Sequence, residues 1–378
     1  MHTNFPLSLY IHIPWCIKKC PYCDFNSHAL KDALPEKQYI QQLISDLKTQ
    51  LEFVQNRPIH SIFIGGGTPS LFSPAAYKNL LSELKKYLTI ADDTEITLEA
   101  NPGTTEADRF SGYFDAGINR LSIGVQSFQD NQLKILGRIH ESDQAKKAVK
   151  QAQNAGFQRI NIDLMFGLPN QTINDALFDL QSAVDLSTNH LSWYQLTLEP
   201  NTYFHRFPPI LPSDDARFEI QQAGVAFLNQ HGFKQYEISA YSKNDPCKHN
   251  LNYWQFGDYL GIGAGAHAKL TDLKSMEMTR RYSVKNPKQY LSSNAENIGV
   301  TKKVESTELP LELMMNTLRL YQPIEIALFE ARTGLSFSIV EKQIKKAVAE
   351  GLMKINAQYF YVTNKGHLFL NDVLELFL

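Results

Sequence analysis

The first half of the chain alternates short apolar runs with longer amphipathic stretches. Six runs rich in Ile, Leu, Val and aromatic residues have the length and composition of strands: 7–13, 60–64, 95–99, 120–125, 159–165 and 191–198. Between them, apolar residues recur at helical spacing over 36–54, 74–88, 105–116, 142–155 and 174–186. Ser73 before Pro74 is typical of a helix N-cap followed by proline in the first turn.

This repeated alternation of strand and helix predicts the α/β class, with a parallel sheet and helices packed outside it. Six units are fewer than the eight of a closed barrel, so we expect an open, partial (β/α)6 barrel. Ligands of such folds bind at the carboxyl ends of the strands. Candidate binding residues should therefore lie at or just after the strand ends.

The pattern changes after Pro200, and we predict three parts: a core over 1–200, an extension over 201–305 and a small domain over 306–378. The extension starts with a loop rich in proline and aromatic residues. The remaining predicted elements are a helix over 214–230, a strand over 235–239, an irregular aromatic segment over 241–257 and a glycine-rich run over 258–272.

The last part has the pattern of a winged-helix-like domain. Three helical patterns are followed by two short strand patterns: helices over 309–320, 324–333 and 339–350, and strands over 353–356 and 359–362. Its lysines invite a DNA-binding hypothesis, but glutamates are interspersed and no arginine cluster is present. A solvated helix face is the favoured interpretation, with closure of the barrel mouth or docking of an acceptor as functional alternatives.

Three closely spaced cysteines provide the candidate chemistry. Cys16, Cys20 and Cys23 have the spacing C-x3-C-x2-C. Three thiolates on one short loop can hold three irons of a cubane 4Fe–4S cluster. The fourth iron then has an open position for a small molecule, so we expect these cysteines to be metal ligands at a reactive centre.

The three cysteines have two alternative uses. A structural zinc site needs four ligands, usually with paired C-x2-C spacing, and His12, Asp24 or His28 could supply the fourth. A disulfide framework is disfavoured because the chain has four cysteines in 378 residues, one of them the distant Cys247. The spacing favours the cluster over both.

The second predicted strand ends in Gly65-Gly66-Gly67-Thr68-Pro69. Glycines let a backbone approach a ligand closely, and we expect their N–H groups to suit a carboxylate or phosphate. The alternative is a tight turn from strand to helix, which needs fewer than three glycines. A nucleotide P-loop is not supported, because no Gly-x4-Gly-Lys-Ser/Thr motif is present.

Polar residues mark three later strands. Glu99 and Gln126 close the third and fourth, and Asp163 lies in the fifth. A polar group in an apolar strand costs free energy unless it has a partner. Each could cap a helix or pair with a lysine, but their common placement predicts that all three line one ligand cavity.

Composition limits the function classes. The formal net charge is −2, from 37 basic and 39 acidic residues, so no basic field indicates nucleic acid as a partner. No apolar run approaches 18 residues, so no membrane span is predicted. The first residues lack the pattern of a signal peptide, and a cysteine cluster needs a reducing compartment, so we expect a cytoplasmic protein.

The motifs together resemble radical S-adenosylmethionine (SAM) proteins of the oxygen-independent coproporphyrinogen III oxidase family. The resemblance rests on the cysteine loop, the Gly-Gly-Gly-Thr-Pro turn, Glu-Ala-Asn-Pro, Gly-Val-Gln-Ser and Asp-Leu-Met-Phe-Gly-Leu-Pro, in that order. It implies a 4Fe–4S cluster, SAM bound at its open iron and a second SAM-like site. It also implies that the first SAM is faced by Tyr10, Tyr22, Gly66 and Glu99, and that the second site is lined by Gly67, Thr68, Gln126, Arg138 and Asp163.

Two departures separate this chain from the oxidases that it resembles. Phe25 stands where those enzymes carry a further cysteine, and the segment before Cys16 is shorter. The run His249-Asn-Leu-Asn-Tyr253-Trp254 instead resembles the signature of the heme-chaperone branch of the family. That resemblance implies that His249 contacts heme.

The residues themselves allow two interpretations of this run. Imidazole is a common axial ligand of heme iron, Tyr253 and Trp254 offer flat apolar faces, and Cys247 is an alternative ligand. Alternatively, His249 makes ordinary hydrogen bonds in a loop and the aromatic residues fill core.

The resulting expectation is a heme chaperone on a radical SAM scaffold. It would deliver heme to acceptor proteins, with respiratory membrane complexes as candidate acceptors and a homodimer as a candidate assembly. The alternative is oxidative decarboxylation of coproporphyrinogen III by radical SAM chemistry. A DNA-binding regulator is the third and least favoured hypothesis.

Overall fold

The computed structural model describes residues 5–103 and 107–378, and its largest element is a 12-stranded sheet. Numbered along the chain, the strands are β1 (Leu7–Ile13), β2 (Trp15–Cys16), β3 (His28–Ala29), β4 (Ile59–Gly66), β5 (Glu95–Ala100), β6 (Arg120–Gln126), β7 (Arg159–Phe166), β8 (His190–Gln195), β9 (Lys234–Glu237), β10 (Ala240–Ser242), β11 (Asp258–Ile262), β12 (His267–Thr271), β13 (Met278–Ser283), β14 (Gly299–Lys303), β15 (Ile324–Glu325), β16 (Met353–Ile355) and β17 (Tyr359–Val362).

The described helices cover the sheet and form most of the last part of the chain. They are Glu36–Lys48, Pro74–Leu84, Phe110–Asp115, Asp130–Ile135, Ser142–Asn154, Ile173–Asp185, Tyr203–Arg206, Asp214–Gln230, Lys248–Trp254, Pro287–Ser292, Leu309–Thr317, Ile326–Thr333, Ser338–Ala349, Asn364–Leu368 and Leu370–Glu375. Of the helix predicted over 105–116, residues 105 and 106 lie outside the described residues. Among the helices of residues 5–103 and 107–378, none has the length and apolar character needed to span a membrane.

The six strands predicted in the first half form the centre of the large sheet. β1, β4, β5, β6, β7 and β8 are neighbours in chain order and pair in parallel. The connections between them contain the predicted helices. The α/β class and the partial (β/α)6 barrel are therefore confirmed.

Strands from the extension continue the barrel on both edges. β8 pairs antiparallel with β10, which pairs with β9. On the other edge, β1 pairs in parallel with β11, and the sheet continues antiparallel through β12, β13 and β14. The extension thus belongs to the same sheet as the core, and the boundaries at 200 and 305 stay a prediction.

Alternate side chains of the central strands face opposite environments. In β1, Leu9 and Ile11 are fully buried in the main apolar core, whereas Tyr10 between them lines a cavity in the barrel. In β6, Leu121 joins that core and Ser122 lines the barrel. Because strand side chains alternate with a period of two, each strand can bury one apolar face and still supply polar groups to the interior.

Residues 241–257 are not irregular, so that prediction is wrong. They include the end of β10 and the helix Lys248–Trp254, which packs near β1, β4 and β11. The helix has no side-chain N-cap of its own. The N–H groups of its first turn are instead bound by a residue of a distant strand, which a local sequence pattern could not reveal.

The last part of the chain has the predicted winged-helix-like form. Its three main helices enclose a separate apolar cluster that contains Leu313, Phe329 and Ile344. β15, β17 and β16 make a small antiparallel sheet. The helices Asn364–Leu368 and Leu370–Glu375 were not predicted, because segments of five or six residues are too short to show a helical period.

Candidate functional site

A cavity of about 390 Å³ lies at the carboxyl ends of the parallel strands, where this fold binds ligands. All three cysteines of the C-x3-C-x2-C motif line it. Eight other predicted site residues line it as well: Tyr22, Gly66, Gly67, Thr68, Glu99, Gln126, Arg138 and Asp163. We refer to this space as the cysteine cavity.

The cysteine loop follows β1 and is closed by short-range contacts. β2 pairs with β3, so Cys16 lies opposite Ala29. The N–H of Cys23 donates to the carbonyl oxygen of Cys20 at 3.2 Å, which makes a tight turn between the last two cysteines. The three thiols are free of disulfide bonds and are available as metal ligands.

This donor set fits a 4Fe–4S cluster. Burial raises the pKa of the Cys16 and Cys23 thiols, so binding of iron must displace protons. In the part of the chain that the structure describes, no three His, Cys, Asp or Glu side chains form a site for one metal ion. A cubane needs no such convergence, because each thiolate binds a different iron, whereas zinc needs four ligands around one ion.

The three glycines serve close packing, and the prediction that their N–H groups receive an anionic ligand is wrong for Gly66 and Gly67, whose N–H groups have partners within the protein. The N–H of Gly66 donates to Glu99 Oε2 at 2.9 Å, and that of Gly67 to the Ile13 carbonyl at 2.7 Å. A Cβ on Gly67 would lie 2.6 Å from the carbonyl oxygen of Trp15. Glycine is therefore required for the strand end to approach the start of the cysteine loop.

Arg138 connects the cysteine loop to the ends of two strands. Its Nη1 lies 3.5 Å from Sγ of Cys20, and its Nη2 donates at 2.6 Å to both Asn101 Oδ1 and the Gly124 carbonyl. Asn101 in turn donates to Thr68 Oγ1 at 3.1 Å. This network fixes a positive charge beside the cysteine loop, where it favours negative charge on a bound cluster.

Several residues of the cysteine cavity were missed in the sequence: Lys18, Ser27, Asn101, Ser122, Ser192 and Tyr194. Ser122 and Ser192 could have been found, because each is a polar residue between apolar neighbours in a predicted strand. Tyr194 donates to Gln126 Oε1 at 2.7 Å. Gln126 has a φ of 72°, a left-handed conformation at the strand end that sequence alone did not reveal.

Glu99 and Asp163 place two buried carboxyl groups on the cavity wall. Burial and, to a smaller extent, the nearby Asp163 together raise the pKa of Glu99 to about 7. Burial also raises the pKa of Asp163, although Asn161 and Ser122 donate to it at 2.7 and 3.2 Å. A cationic ligand would favour ionisation of both groups, so this wall suits an ammonium or sulfonium centre.

A second cavity of about 260 Å³ lies deeper in the barrel, toward the amino ends of the strands. We call it the inner cavity; it shares four residues with the cysteine cavity: Glu99, Ser122, Asp163 and Ser192. Tyr10 lines the inner cavity and not the cysteine cavity, and its ring stacks on Phe63 with centroids 6.4 Å apart. The structure therefore places Tyr10 apart from Tyr22 and Gly66, whereas Glu99 lines both cavities.

His249 also lines the inner cavity, on the helix Lys248–Trp254. It is 2% exposed, and both of its ring nitrogens are engaged: Nδ1 with Ser61 Oγ at 3.0 Å and Nε2 with Tyr253 Oη at 2.9 Å. Burial lowers its pKa to about 3, so the imidazole is neutral near pH 7. It has the protonation state of a heme ligand, but in this conformation neither nitrogen is free.

Glu95 anchors the helix that carries His249. Its carboxylate, fully buried at the start of β5, accepts from the N–H groups of Lys248 and His249 at 3.0 Å each. Arg159 pairs with the same carboxylate at 2.7 Å. An anion at the first turn of a helix satisfies otherwise unpaired N–H groups, and this contact sets the position of His249.

Comparisons with known proteins agree with this site. Residues 10–181 match the model of the radical SAM superfamily, and residues 304–369 match that of the HemN C-terminal domain. The solved structure of coproporphyrinogen III oxidase (HemN) from Escherichia coli, described as a radical SAM enzyme, is similar with a TM-score of 0.83. It is 25% identical, and the similarity covers 100% of this chain and 91% of that one.

Curated relatives match along the whole chain. The heme chaperone HemW of Haemophilus influenzae is 53% identical over 99% of this chain and 98% of that protein. The heme chaperones HemW of Escherichia coli and Bacillus subtilis are 50% and 33% identical, and each match covers 98% or more of both chains. The chain therefore belongs to the HemW family within the radical SAM superfamily.

Proposed function

We propose that the chain binds heme and delivers it to acceptor proteins. The observation that carries this proposal is the full-length similarity to heme chaperones, at 53% identity for the Haemophilus influenzae protein. It is supported by a cysteine cavity of the radical SAM type and by an inner cavity lined by aromatic residues and a neutral imidazole. Heme is the cargo in this proposal, whereas the cluster and SAM belong to the scaffold.

The proposed cluster ligands are Cys16, Cys20 and Cys23. Next to them, Tyr22, Gly66 and Glu99 would face a SAM molecule. Tyr10 would face the same SAM molecule from the side of the inner cavity. A second SAM-like site would use Gly67, Thr68, Gln126, Arg138 and Asp163, all on the wall of the same cavity. A bound cluster would supply one-electron chemistry to SAM, and these residues would position the ligand and balance its charge.

His249 is the proposed heme contact in the inner cavity. Iron could reach Nε2 only if the Tyr253 hydroxyl moved away, and Nδ1 only if Ser61 did. Heme binding at His249 would therefore require movement of the Tyr253 side chain or of Ser61. The cluster and SAM, which would occupy the adjoining cavity, are proposed to control this movement.

The partners proposed are heme-accepting proteins, with respiratory membrane complexes as candidates. A homodimer is proposed as an assembly of the chain, either without heme or with heme bound. Cytoplasmic location is proposed because an oxygen-sensitive cluster and free thiols require a reducing compartment.

Decarboxylation of coproporphyrinogen III is the second candidate, favoured by the structural similarity to the oxidase of Escherichia coli. Phe25, which is 60% exposed at the rim of the cysteine cavity, argues for the chaperone, because the oxidases resembled here carry a cysteine at that position. The shared barrel leaves the choice to experiment.

One anaerobic experiment separates the two candidates. The cluster-reconstituted protein is incubated with SAM, dithionite and coproporphyrinogen III, and in parallel loaded with heme and mixed with apomyoglobin. The proposal expects unchanged tetrapyrrole and transfer of heme to apomyoglobin faster than release into buffer. Accumulation of vinyl-bearing porphyrinogen with consumption of SAM would support the oxidase and overturn the chaperone.

A further inference from the structure

A third concave region lies away from both barrel cavities. It is a cleft of about 850 Å³ between the helix Asp214–Gln230, the edge strand β9 and the helices at the end of the chain. It is more than twice as large as the cysteine cavity. We call it the C-terminal cleft.

Large apolar side chains on the walls of this cleft are exposed. Phe218, Tyr321, Leu368 and Phe369 are 45%, 37%, 53% and 49% exposed, respectively. They come from three separate segments of the chain, so their convergence on one concave surface is a property of the fold. Exposed apolar residues grouped in a concavity mark a binding site for a ligand or partner.

Among the described residues that line this cleft, His367 is the one histidine. Its ring stacks on Tyr321, with centroids 3.9 Å apart and planes inclined by 8°. Neither Nδ1 nor Nε2 has a hydrogen-bond partner among the described residues, although both atoms are buried. Burial lowers the pKa of this imidazole to about 4, so it is neutral near pH 7.

A buried imidazole without partners is unfavourable, because it has given up its hydrogen bonds to water. A metal centre that accepts a nitrogen lone pair would satisfy one of the two ring nitrogens and so reduce this cost. His249 differs in this respect, since both of its nitrogens are hydrogen bonded. Of these two histidines, His367 is therefore the one whose ring nitrogens hold no hydrogen bond that a metal would have to displace.

We propose that the C-terminal cleft is a heme site in which a ring nitrogen of His367 ligates the iron. This inference rests on the proposed function, because the ligand is the cargo of the chaperone. The macrocycle would pack against Phe218, Leu368 and Phe369, and the exposed Lys234 on the rim would pair with a propionate. Ligation requires the ring to turn so that one shielded nitrogen faces the cleft.

The position of the cleft suits exchange of heme with another protein. Strand β9 separates it from the inner cavity: Gln235 lines the cleft, whereas the next residue, Tyr236, lines the inner cavity and hydrogen bonds His190 at 2.9 Å. Tyr321 is joined to this strand, because its N–H donates to the Tyr236 carbonyl at 3.1 Å. Heme in the cleft would lie at the surface, while heme at His249 would be enclosed.

The test is an anaerobic heme titration of the cluster-reconstituted full chain by visible absorption. His367→Phe retains the stacking on Tyr321 and removes the ligand nitrogens. His231→Phe is the matched control, because the His231 ring also contacts an aromatic ring, that of Phe227, but bonds the Phe227 carbonyl and does not line the cleft. His249→Phe reports on the inner cavity.

We expect His367→Phe to lose one class of bound heme with its imidazole-type spectrum, or to weaken it at least tenfold. His231→Phe and His249→Phe should retain that class. A His367→Phe titration identical to wild type overturns the cleft as a heme site, as does loss of that class only in His249→Phe. Failure of the wild type to bind heme would instead overturn the proposed function.

A second variant keeps the test decisive if His367→Phe does not fold. Lys234→Glu changes an exposed side chain on the cleft rim and leaves the walls intact. It should weaken the same class of heme several-fold, and less so at high salt, because a propionate would face a negative charge. If His367→Phe does not fold, a folded Lys234→Glu protein that binds heme with unchanged affinity overturns the cleft as a heme site.

Discussion

The guanidinium of Arg138 lies 3.5 Å from the sulfur of Cys20, although 118 positions separate the two residues in the chain. The same side chain is fixed by Asn101 and by the backbone at Gly124. A fixed positive charge beside one cluster ligand is a means to tune the electron affinity of the cluster. The cysteine loop and the strand ends therefore act as one electrostatic unit.

Arg138→Leu should lower the reduction potential of the reconstituted cluster. A charge-assisted hydrogen bond of about 1.5 kcal/mol corresponds to a shift of about 60 mV for one electron. Arg138→Lys retains the charge but not the forked geometry, so its potential should lie between the other two. Electron paramagnetic resonance during redox titration measures the shift, and equal potentials in all three proteins would refute this role.

Gly67→Ala should displace the cysteine loop. Its Cβ would lie 2.6 Å from the Trp15 carbonyl and 2.9 Å from that of Ile13. We expect about 1–3 kcal/mol lower stability, as for other overpacked sites, and less iron bound per chain after reconstitution.

Gly232→Ala is the control for Gly67→Ala. Gly232 has a φ of 80° and nothing within 4 Å of an added Cβ, so alanine there costs stability without reaching the cysteine loop. It should keep the full iron content. Full iron content in Gly67→Ala as well would show that the close approach is not needed for the cluster.

Glu95→Ala should destabilise the helix that carries His249. The substitution leaves two N–H groups of the helix without their buried acceptor and removes one of the two carboxylates that pair with Arg159, the other being that of Asp245. A loss of about 3 kcal/mol in the free energy of unfolding is expected, in the range for broken buried pairs. Glu83→Ala breaks an exposed pair with Lys86 and should cost far less stability, because water screens the pair. Equal losses in urea unfolding would contradict the anchoring role.

Glu99→Gln should stabilise the cluster-free protein in a pH-dependent manner. The pKa of Glu99 is about 7 in the folded protein, above the ordinary value of 4.5. Below pH 4.5 Glu99 is protonated in both the folded and the unfolded chain, and its contribution to stability is fully present. This contribution is lost as the pH rises from 4.5 to 7, because the unfolded chain gives up the proton more readily. Relative to wild type, the variant should gain about 3 kcal/mol between these pH values.

Chemical denaturation at several pH values measures this gain. Glu219→Gln, on an exposed helix surface, is the control and should change stability by less than about 0.5 kcal/mol throughout. A difference between Glu99→Gln and wild type that does not vary with pH would exclude a raised pKa at Glu99.

Local patterns predicted the barrel because each element carries its own signal. The helix over 214–230 was predicted to the residue, and Ser73 caps its helix by accepting from the N–H of Ala76 at 3.2 Å. The cysteines and the strand-end residues Glu99, Gln126 and Asp163 were brought to one cavity, as their positions predicted.

Interactions between distant segments were not predictable in the same way. The helix Lys248–Trp254 depends on Glu95, which lies 154 positions before His249. The glycine N–H groups were expected to be free, yet Glu99 and β1 accept from them. The C-terminal cleft joins three segments that carry no common motif, so only the fold revealed it.

The most direct test of the central claim is an anaerobic titration of the cluster-reconstituted wild-type protein with heme, followed by its visible absorption. If the chain is a heme chaperone, binding saturates at a defined stoichiometry with the spectrum of ligated heme. Weak binding that does not saturate, in a protein with intact cluster, would contradict the account and favour the oxidase.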